Sequence, residues 1–461
     1  MAQEHWLRQP WISLVRTGAT PSPMALAAGL SPDSGWPGPP DYRGLEILSP
    51  MVRAASLPMR LCCLRYGAGL VYSGVTIDRS IIETVRVENA AFGCIDYVSP
   101  SEKRVIFSTC DEERRHLIFQ VGTADSALAT QAALKVCRDV RGIDVNMGCT
   151  APFSATGGMG AALLGKPELA ADILKSLRRE LPAEYAVTCK IRLLPTLAKT
   201  RDFMQLCERS GAAAVAVHLR TQEEDRNKGT PAHWHEVMEV CRAVQIPVIA
   251  NGDFFSRSHI SDFWRSCRSW AEGSSHPADL DSGTSTTSGA EAPPGPAAVM
   301  IARGALWNPG IFCREDPETG AGTPSYDEVL QNYVRTSVSV NSPYYNTKWV
   351  LLQMFNRGAG APAAETFRGM RGKELKRFKQ QLENATSMGA VCDLFGEGYD
   401  PTGFPPLAHT LDYCGAHYDL PAPVAGHAAA AGGGPAPEEL FLCGQLGASS
   451  EADAARSGPG A

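Results

Sequence analysis

The sequence predicts an α/β fold, a (β/α)8 TIM-type barrel followed by a small all-helical domain. Three observations predict it. Eight strand-like runs alternate with helix-like runs between Tyr42 and Cys313. Most of those runs end in polar residues, as strands do when a site sits at the C-terminal face of a barrel. From 323 to 395 the pattern is helical throughout. Periodicity alone would also allow a doubly wound sheet; the number of units and the polar strand ends favour the barrel.

In chain order, residues 1–40 are rich in Pro and Ser and carry two acids and two arginines, which predicts a disordered leader. The barrel is expected over 41–313. Its strands are expected at 45–52, 70–77, 117–122, 142–148, 186–193, 213–220, 247–253 and 297–304. Amphipathic helices are expected between them, among them 125–140, 167–181, 198–210 and 232–244. In 125–140, Leu128, Ala132, Leu134 and Val136 fall near one face and Asp125 is the expected N-cap. Residues 271–296 interrupt the last crossover. They are dominated by Ser, Thr, Gly and Pro, so a disordered insertion is expected. The helical domain, 323–395, should hold helices at 326–340, 347–355, 372–385 and 387–395. Gly, Ala and Pro then take over, which predicts a disordered acidic tail over 396–461.

Of 461 residues 44% are hydrophobic, enough for one large domain and a smaller one. No apolar run reaches the length of a membrane span, so no membrane partner is expected. The 14 cysteines include no Cys-x-x-Cys pair, which argues against a metal site or a disulfide framework and for a reducing compartment; the cytoplasm is expected, with the nucleus or an organelle as alternatives. A net charge of −6 argues at first against nucleic acid. Its distribution reverses that. The tail holds eight acids and one base, and 271–297 holds four acids with no Lys or Arg; the remainder carries +5. Residues 357–379 hold seven bases against Glu365 and Glu374. A basic stretch on a helical appendage suits phosphate contacts, with Arg371, Lys376 and Arg377 as candidates.

The chain centres on Gly142-Ile143-Asp144-Val145-Asn146-Met147-Gly148-Cys149, followed by Gly157-Gly158-Met159-Gly160-Ala161-Ala162-Leu163-Leu164. Ile143 and Val145 alternate with Asp144 and Asn146, as in a short strand. Cys149 then stands in a polar loop, before a helix opened by glycines. A random cysteine is more often a small buried hydrophobe. A thiol just past a strand end is placed for chemistry: ordinarily protonated at neutral pH, it can donate a proton, or attack as a nucleophile once deprotonated.

The other strand ends supply Pro50, Met51, Val52 and Arg53; Gln120; Lys190 and Arg192; His218 and Arg220; Asn251, Gly252 and Asp253; Ala302, Arg303 and Gly304. Singly, each has a bland reading as a solvated charge or a turn. Together they line one mouth, and the chemistry they suggest is flavin binding. The last two strand ends offer backbone N–H groups and a guanidinium where such barrels hold a phosphate, with Gly252 and Gly304 allowing close approach. Lys190 can stabilise an anionic reduced ring, and Gln120 can donate to and accept from ring amide edges.

These motifs resemble those of the tRNA-dihydrouridine synthases. The resemblance rests on Ser49-Pro50-Met51-Val52, the Asn146–Cys149 and 157–164 blocks, Cys189-Lys190-Ile191-Arg192, Ala216-Val217-His218, Ala250-Asn251-Gly252 and Ala302-Arg303-Gly304-Ala305. Trp307-Asn308-Pro309 and Asn346-Thr347-Lys348 look most like the eukaryotic branch acting on D-loop position 20. The resemblance implies reduction of uridine to 5,6-dihydrouridine in tRNA, with FMN as cofactor and NADPH or NADH as reductant, by a monomer without metal. It implies that Cys149 donates the proton. It implies flavin contacts from Pro50, Met51, Val52, Gln120, Lys190, His218, Asn251, Gly252, Asp253, Ala302 and Arg303. Contacts to tRNA are expected from Asn146, Arg192, Arg220, Arg371, Lys376 and Arg377. Departures from the family pattern are Thr150 for the usual proline and Leu219 for the usual glycine; the loop 151–156 also lacks lysine. Two alternatives stand beside this reading: a flavin barrel reducing a small molecule, and a tRNA-binding homologue with weakened chemistry.

Overall fold

The structure, a computed structural model, describes residues 38–224, 229–271, 295–314, 324–356 and 366–399. Most of the expected leader, insertion and tail, together with Arg357, lie outside the described residues.

The apolar runs form twelve strands among the described residues. They are β1 (Leu45–Leu48), β2 (Leu70–Tyr72), β3 (Thr76–Ile77), β4 (Val85–Asn89), β5 (Cys94–Ser99), β6 (Arg104–Cys110), β7 (Leu117–Gly122), β8 (Gly142–Asn146), β9 (Ala186–Arg192), β10 (Ala214–His218), β11 (Val248–Asn251) and β12 (Ala298–Ile301). Eight of them run in the order β2-β1-β12-β11-β10-β9-β8-β7, and β2 pairs with β7 to close a parallel barrel. Most strands stop short of the expected runs because their polar ends leave the ladder to form the mouth. The expected run 70–77 breaks into β2 and β3. Gly74, between them, lies so close to Met51 O that a Cβ there would come within 2.9 Å.

Strand residues alternate between two cores. Ile47, Leu70, Tyr72, Ile118, Ala186, Ala214, Ala216, Ile249, Ala298 and Met300 point inward, with Tyr42 packed against them. The opposite face packs on the surrounding helices. In the helix Ser126–Val136, Asp125 caps as expected, its carboxylate accepting from Leu128 N at 2.9 Å. The buried face is Ala129, Ala132, Ala133 and Val136, so the expected stripe is turned slightly: Leu128 and Leu134 are only half-buried. Alanines let this helix sit close to its neighbour Pro167–Glu180.

The antiparallel sheet β4-β5-β6 has no counterpart in the expected pattern. It is pinned to the barrel by a buried ion pair. Arg60, 2% exposed, donates to both Glu113 oxygens at 2.7 and 2.8 Å and to Ala55 O and Ser108 O at 2.7 Å. Each guanidinium nitrogen is matched, which is what a buried pair requires to be tolerated.

Four further helices follow: Tyr326–Ser339, Tyr344–Phe355, Gly372–Asn384 and Met388–Phe395. Ser325 and Glu328 form a capping box on the first. Phe355, Phe367, Phe378 and Phe395 pack ring against ring at centroid distances of 5.0–5.7 Å. Two contacts tie this group to the barrel mouth. Asn346 Nδ2 donates to Arg53 O at 3.1 Å, and the Arg53 guanidinium lies 4.6 Å from the Trp349 ring centre. Among the described residues no helix is long and apolar enough to cross a membrane.

Candidate active site

The period-two alternation of the barrel strands decides which side chains meet. On β7, β8, β9, β10 and β11 the inward positions toward the mouth are Gln120, Asp144, Asn146, Thr188, Lys190, Arg192, His218 and Asn251. Register joins them in a ring: Gln120 pairs with Asp144, Asp144 with Thr188, Asn146 with Lys190, Arg192 with His218, and His218 with Asn251. The sequence-predicted residues Gln120, Asn146, Lys190, Arg192, His218 and Asn251 are therefore brought together.

A chain of hydrogen bonds runs from the barrel interior to the thiol loop. Thr188 Oγ1 donates to Asp144 Oδ1 at 2.7 Å, and Gln120 Nε2 donates to Asp144 Oδ2 at 2.8 Å. Asn146 Nδ2 donates to Gln120 Oε1 at 2.9 Å. Asn146 Oδ1 in turn accepts from the backbone N–H of Cys149 at 3.0 Å and of Gly148 at 3.2 Å. Asn146 is thus held through both ends of its amide and fixes the turn that carries the half-exposed Cys149. Arg192, 7% exposed, braces the same turn from below, its Nε donating to Gly148 O at 2.6 Å.

The glycine block has a specific task here. Gly160, at φ +60°, backs onto Cys149: a Cβ would come within 2.6 Å of Cys149 O and 3.2 Å of its Cβ. Ala161 N donates to Cys149 O at 2.9 Å. The expected helix after the glycines begins only at Pro167, after a short helix Pro152–Thr156 and a 3-10 stretch Gly160–Gly165.

On the other side of the mouth Asp253 organises two arginines. Arg220 Nη2 donates to both of its oxygens at 2.6 Å and Arg303 Nη2 to one at 3.1 Å, while Ala232 N donates to the other at 2.7 Å. Arg220 also donates to Thr230 O at 2.7 Å and lies 3.3 Å from His218 Nε2. Burial, with the charges of Lys190, Arg192, Arg220 and Arg303, holds the His218 imidazole well below its usual pKa. The ring is neutral at pH 7. Arg303 is 41% exposed, with its guanidinium 4.8 Å from the centre of the Phe255 ring. Arg192 and Arg220, expected on the tRNA, lie beneath the mouth and brace protein groups; Arg371, Lys376 and Arg377 are exposed on or beside the helix Gly372–Asn384.

The two glycines expected to admit a phosphate have another reason to be glycine. Gly252, at φ +142°, would put a Cβ within 2.7 Å of Ala232 Cβ, and at Gly304 a Cβ would strike the backbone of Phe254 and Phe255. Pro50–Val52 and Ala302 lie where β1 and β12 leave the ladder, and Val52 is 47% exposed at the rim. The residues missed from sequence are Asp144, Thr188 and Gly160. Asp144 was visible as an alternating polar residue in β8, on the face of Asn146, but it lies one pleat below the strand end, and its partners Gln120 and Thr188 come from the two neighbouring strands.

Fold and mouth define a (β/α)8-barrel protein whose polar strand ends and loop thiol converge at the C-terminal face. Residues 47–267 match the dihydrouridine synthase (Dus) family. The chain is 42% identical over 230 residues to the tRNA-dihydrouridine(20) synthase (NAD(P)+) of Saccharomyces cerevisiae, covering 48% of this chain and 60% of that protein. It is 32% identical over 320 residues to the enzyme of the same name from Schizosaccharomyces pombe, covering 68% of this chain and again 60% of the relative. A human tRNA-dihydrouridine(20a/20b) synthase-like protein is 28% identical over 301 residues, 65% of this chain and 78% of that one. Among solved structures, a DHODH from Eimeria tenella in complex with ferulenol covers 64% of this chain and 86% of its own at 12% identity and a TM-score of 0.33. At that level the likeness bears on neither fold nor function.

Proposed function

We propose that this protein reduces uridine to 5,6-dihydrouridine in the D-loop of tRNA, with FMN as its flavin and NADPH or NADH as reductant, in the cytoplasm. The observation that carries it is Cys149, half-exposed at the mouth of a barrel that matches the dihydrouridine synthase family and fixed by Asn146.

The mouth suits a flavin on its own chemistry. Gln120 and Lys190 occupy inward positions on β7 and β9, Val52 offers an apolar rim, and Arg303 stands half-exposed beside the Asn251-Gly252-Asp253 turn. Pro50, Met51, Val52, Gln120, Lys190, His218, Asn251, Gly252, Asp253, Ala302 and Arg303 would hold the group. Bound there, FMN would supply hydride chemistry between NADPH and C6 of the uracil. Cys149 Sγ–H delivers the proton to C5, and the thiolate is reprotonated from solvent. Neutral His218 can orient a polar edge without adding a proton, and Asp253 keeps Arg303 extended toward an anionic group. The target nucleotide must be turned out of its stack to reach this depth.

The test is Cys149→Ala. FMN content, bleaching by NADPH and tRNA binding should match wild type, since none needs the proton. On rapid mixing with unmodified tRNA, oxidation of the reduced flavin should slow by roughly 10²–10⁴-fold. A variant oxidised at the wild-type rate would move the proton donor elsewhere.

A further inference from the structure

We infer that Asn346 and Trp349 are positioning residues for the flavin: from the helix Tyr344–Phe355 they hold the Met51–Arg53 turn in the shape that sets Val52 at the rim of the mouth. The inference rests on the proposed FMN site. It gives a role to Asn346-Thr347-Lys348, a motif that the barrel chemistry leaves unused.

The turn needs an outside grip. It is closed by Ala54 N donating to Val52 O at 2.7 Å and Ala55 N donating to Met51 O at 2.9 Å. Within it Arg53 takes φ +62°, a left-handed backbone that a residue with a Cβ adopts only at a cost. Such a conformation persists where its surroundings over-determine it. On one side Gly74 makes room for Met51 O, which a Cβ there would approach to 2.9 Å. On the other side stands the helix Tyr344–Phe355. Asn346 Nδ2 donates to Arg53 O at 3.1 Å, and the Trp349 ring centre lies 4.6 Å from the Arg53 guanidinium. One helix thus grips Arg53 by its carbonyl and by its side chain. In a right-handed form Arg53 would turn that carbonyl away from Asn346 and shift Val52, the 47% exposed residue that the turn presents.

The spacing explains why one helix can do this. Asn346 and Trp349 are three residues apart and share a helix face. Thr347, between them, is buried, its Oγ1 donating to Ser342 Oγ at 3.3 Å. Lys348 reaches the helix Gly372–Asn384, its Nζ donating to Glu383 O at 2.9 Å and to Ala385 O at 2.8 Å. The gripping helix is therefore itself anchored, and its hold on the turn is set by the fold. The flavin site on this reading is completed by residues that the barrel does not contain.

The FMN-loaded full chain is prepared as wild type, Asn346→Ala, Trp349→Ala and Trp349→Phe. FMN affinity is read from the flavin fluorescence released on dilution. The setting of the ring is read from its visible circular dichroism, and the fold from melting after the flavin is removed. We expect Asn346→Ala and Trp349→Ala each to weaken FMN by roughly three- to tenfold and to alter the bound flavin's spectrum. Trp349→Phe, which keeps a ring against the guanidinium, should recover most of the loss. Flavin-free melts should match wild type, and so should tRNA affinity at saturating FMN, since the basic helix is unchanged. FMN binding at wild-type strength in both alanine variants would overturn the inference. So would a loss that Trp349→Phe does not recover, or one that appears only alongside lower flavin-free melting; the contacts would then be packing alone. If Trp349→Ala does not fold, Asn346→Ala decides by the same criteria. A wild type that takes up no FMN sinks the proposed function together with the inference. One that holds FMN but passes no electrons to tRNA sinks the proposed reaction, while the FMN measurements still decide the inference.

Discussion

Asp144 shows what the site costs at the scale of one residue. Its carboxyl sits inside the barrel, where burial pushes its pKa up to about 6 despite the hydrogen bonds from Gln120 and Thr188 and the charge of Lys190. In the unfolded chain the value is about 3.9. Between those values the native state binds more protons, so stability falls as pH rises from about 4 to about 6, and the full penalty, on the order of 3 kcal/mol, applies above that. The same carboxylate orders Gln120 and, through Asn146, the thiol turn. Asp144→Asn can keep both bonds, accepting from Gln120 and donating to the Thr188 hydroxyl. Thermal melts across this range should show the variant gaining on wild type as pH rises, with the difference greatest near neutrality. Parallel curves would mean that Asp144 is not titrating in the fold. Cys149, Lys190 and His218 were legible because their residue types announce chemistry at a strand end. Asp144 was not, because it lies one pleat below the strand end and its role comes from Gln120 and Thr188 on neighbouring strands, a pairing that carries no local signal.

The thiol loop makes the corresponding point at the level of an element. Its sequence showed that glycines follow the cysteine, and they suggested a helix start. The structure gives one of them another role: Gly160 occupies the space behind Cys149 that any side chain would claim. Gly160→Ala combines that clash with a left-handed backbone, so it should cost about 1–3 kcal/mol or displace the loop. The barrel side of the mouth is untouched by the change. FMN content and bleaching by NADPH should therefore persist, while oxidation by tRNA falls toward the Cys149→Ala level. Loss of flavin along with activity would show that the loop supports the whole mouth. The β4-β5-β6 sheet escaped the sequence reading for a similar reason. Val85-Arg86-Val87-Glu88 alternates with period two, but a search for eight repeating units treats it as crossover. Its anchor, the Arg60–Glu113 pair, spans 53 residues and has no local signal.

Across the whole molecule, chemistry and charge are held on different parts. The mouth belongs to the barrel, while Arg371, Lys373, Lys376 and Arg377 are exposed on or beside the helix Gly372–Asn384. That helix buries Phe378 and Leu382 and turns its cations outward. The neighbouring helix Tyr344–Phe355 meets it through Lys348, whose Nζ donates to Glu383 O at 2.9 Å, and reaches the mouth through Asn346 and the Arg53–Trp349 stacking. A small substrate would have no use for the basic face; a folded RNA reaching into the mouth would lie across it. Replacing Arg371, Lys376 and Arg377 together with Gln should weaken tRNA binding and reduce the slope of log affinity against log salt by about 0.7–0.9 for each phosphate no longer neutralised. Flavin content and the rate of bleaching by NADPH should stay at wild-type values, because no mouth residue is changed. Titrations at several salt concentrations decide it: an unchanged slope would make this helix a solvated face and shift the balance from an RNA substrate to a small molecule.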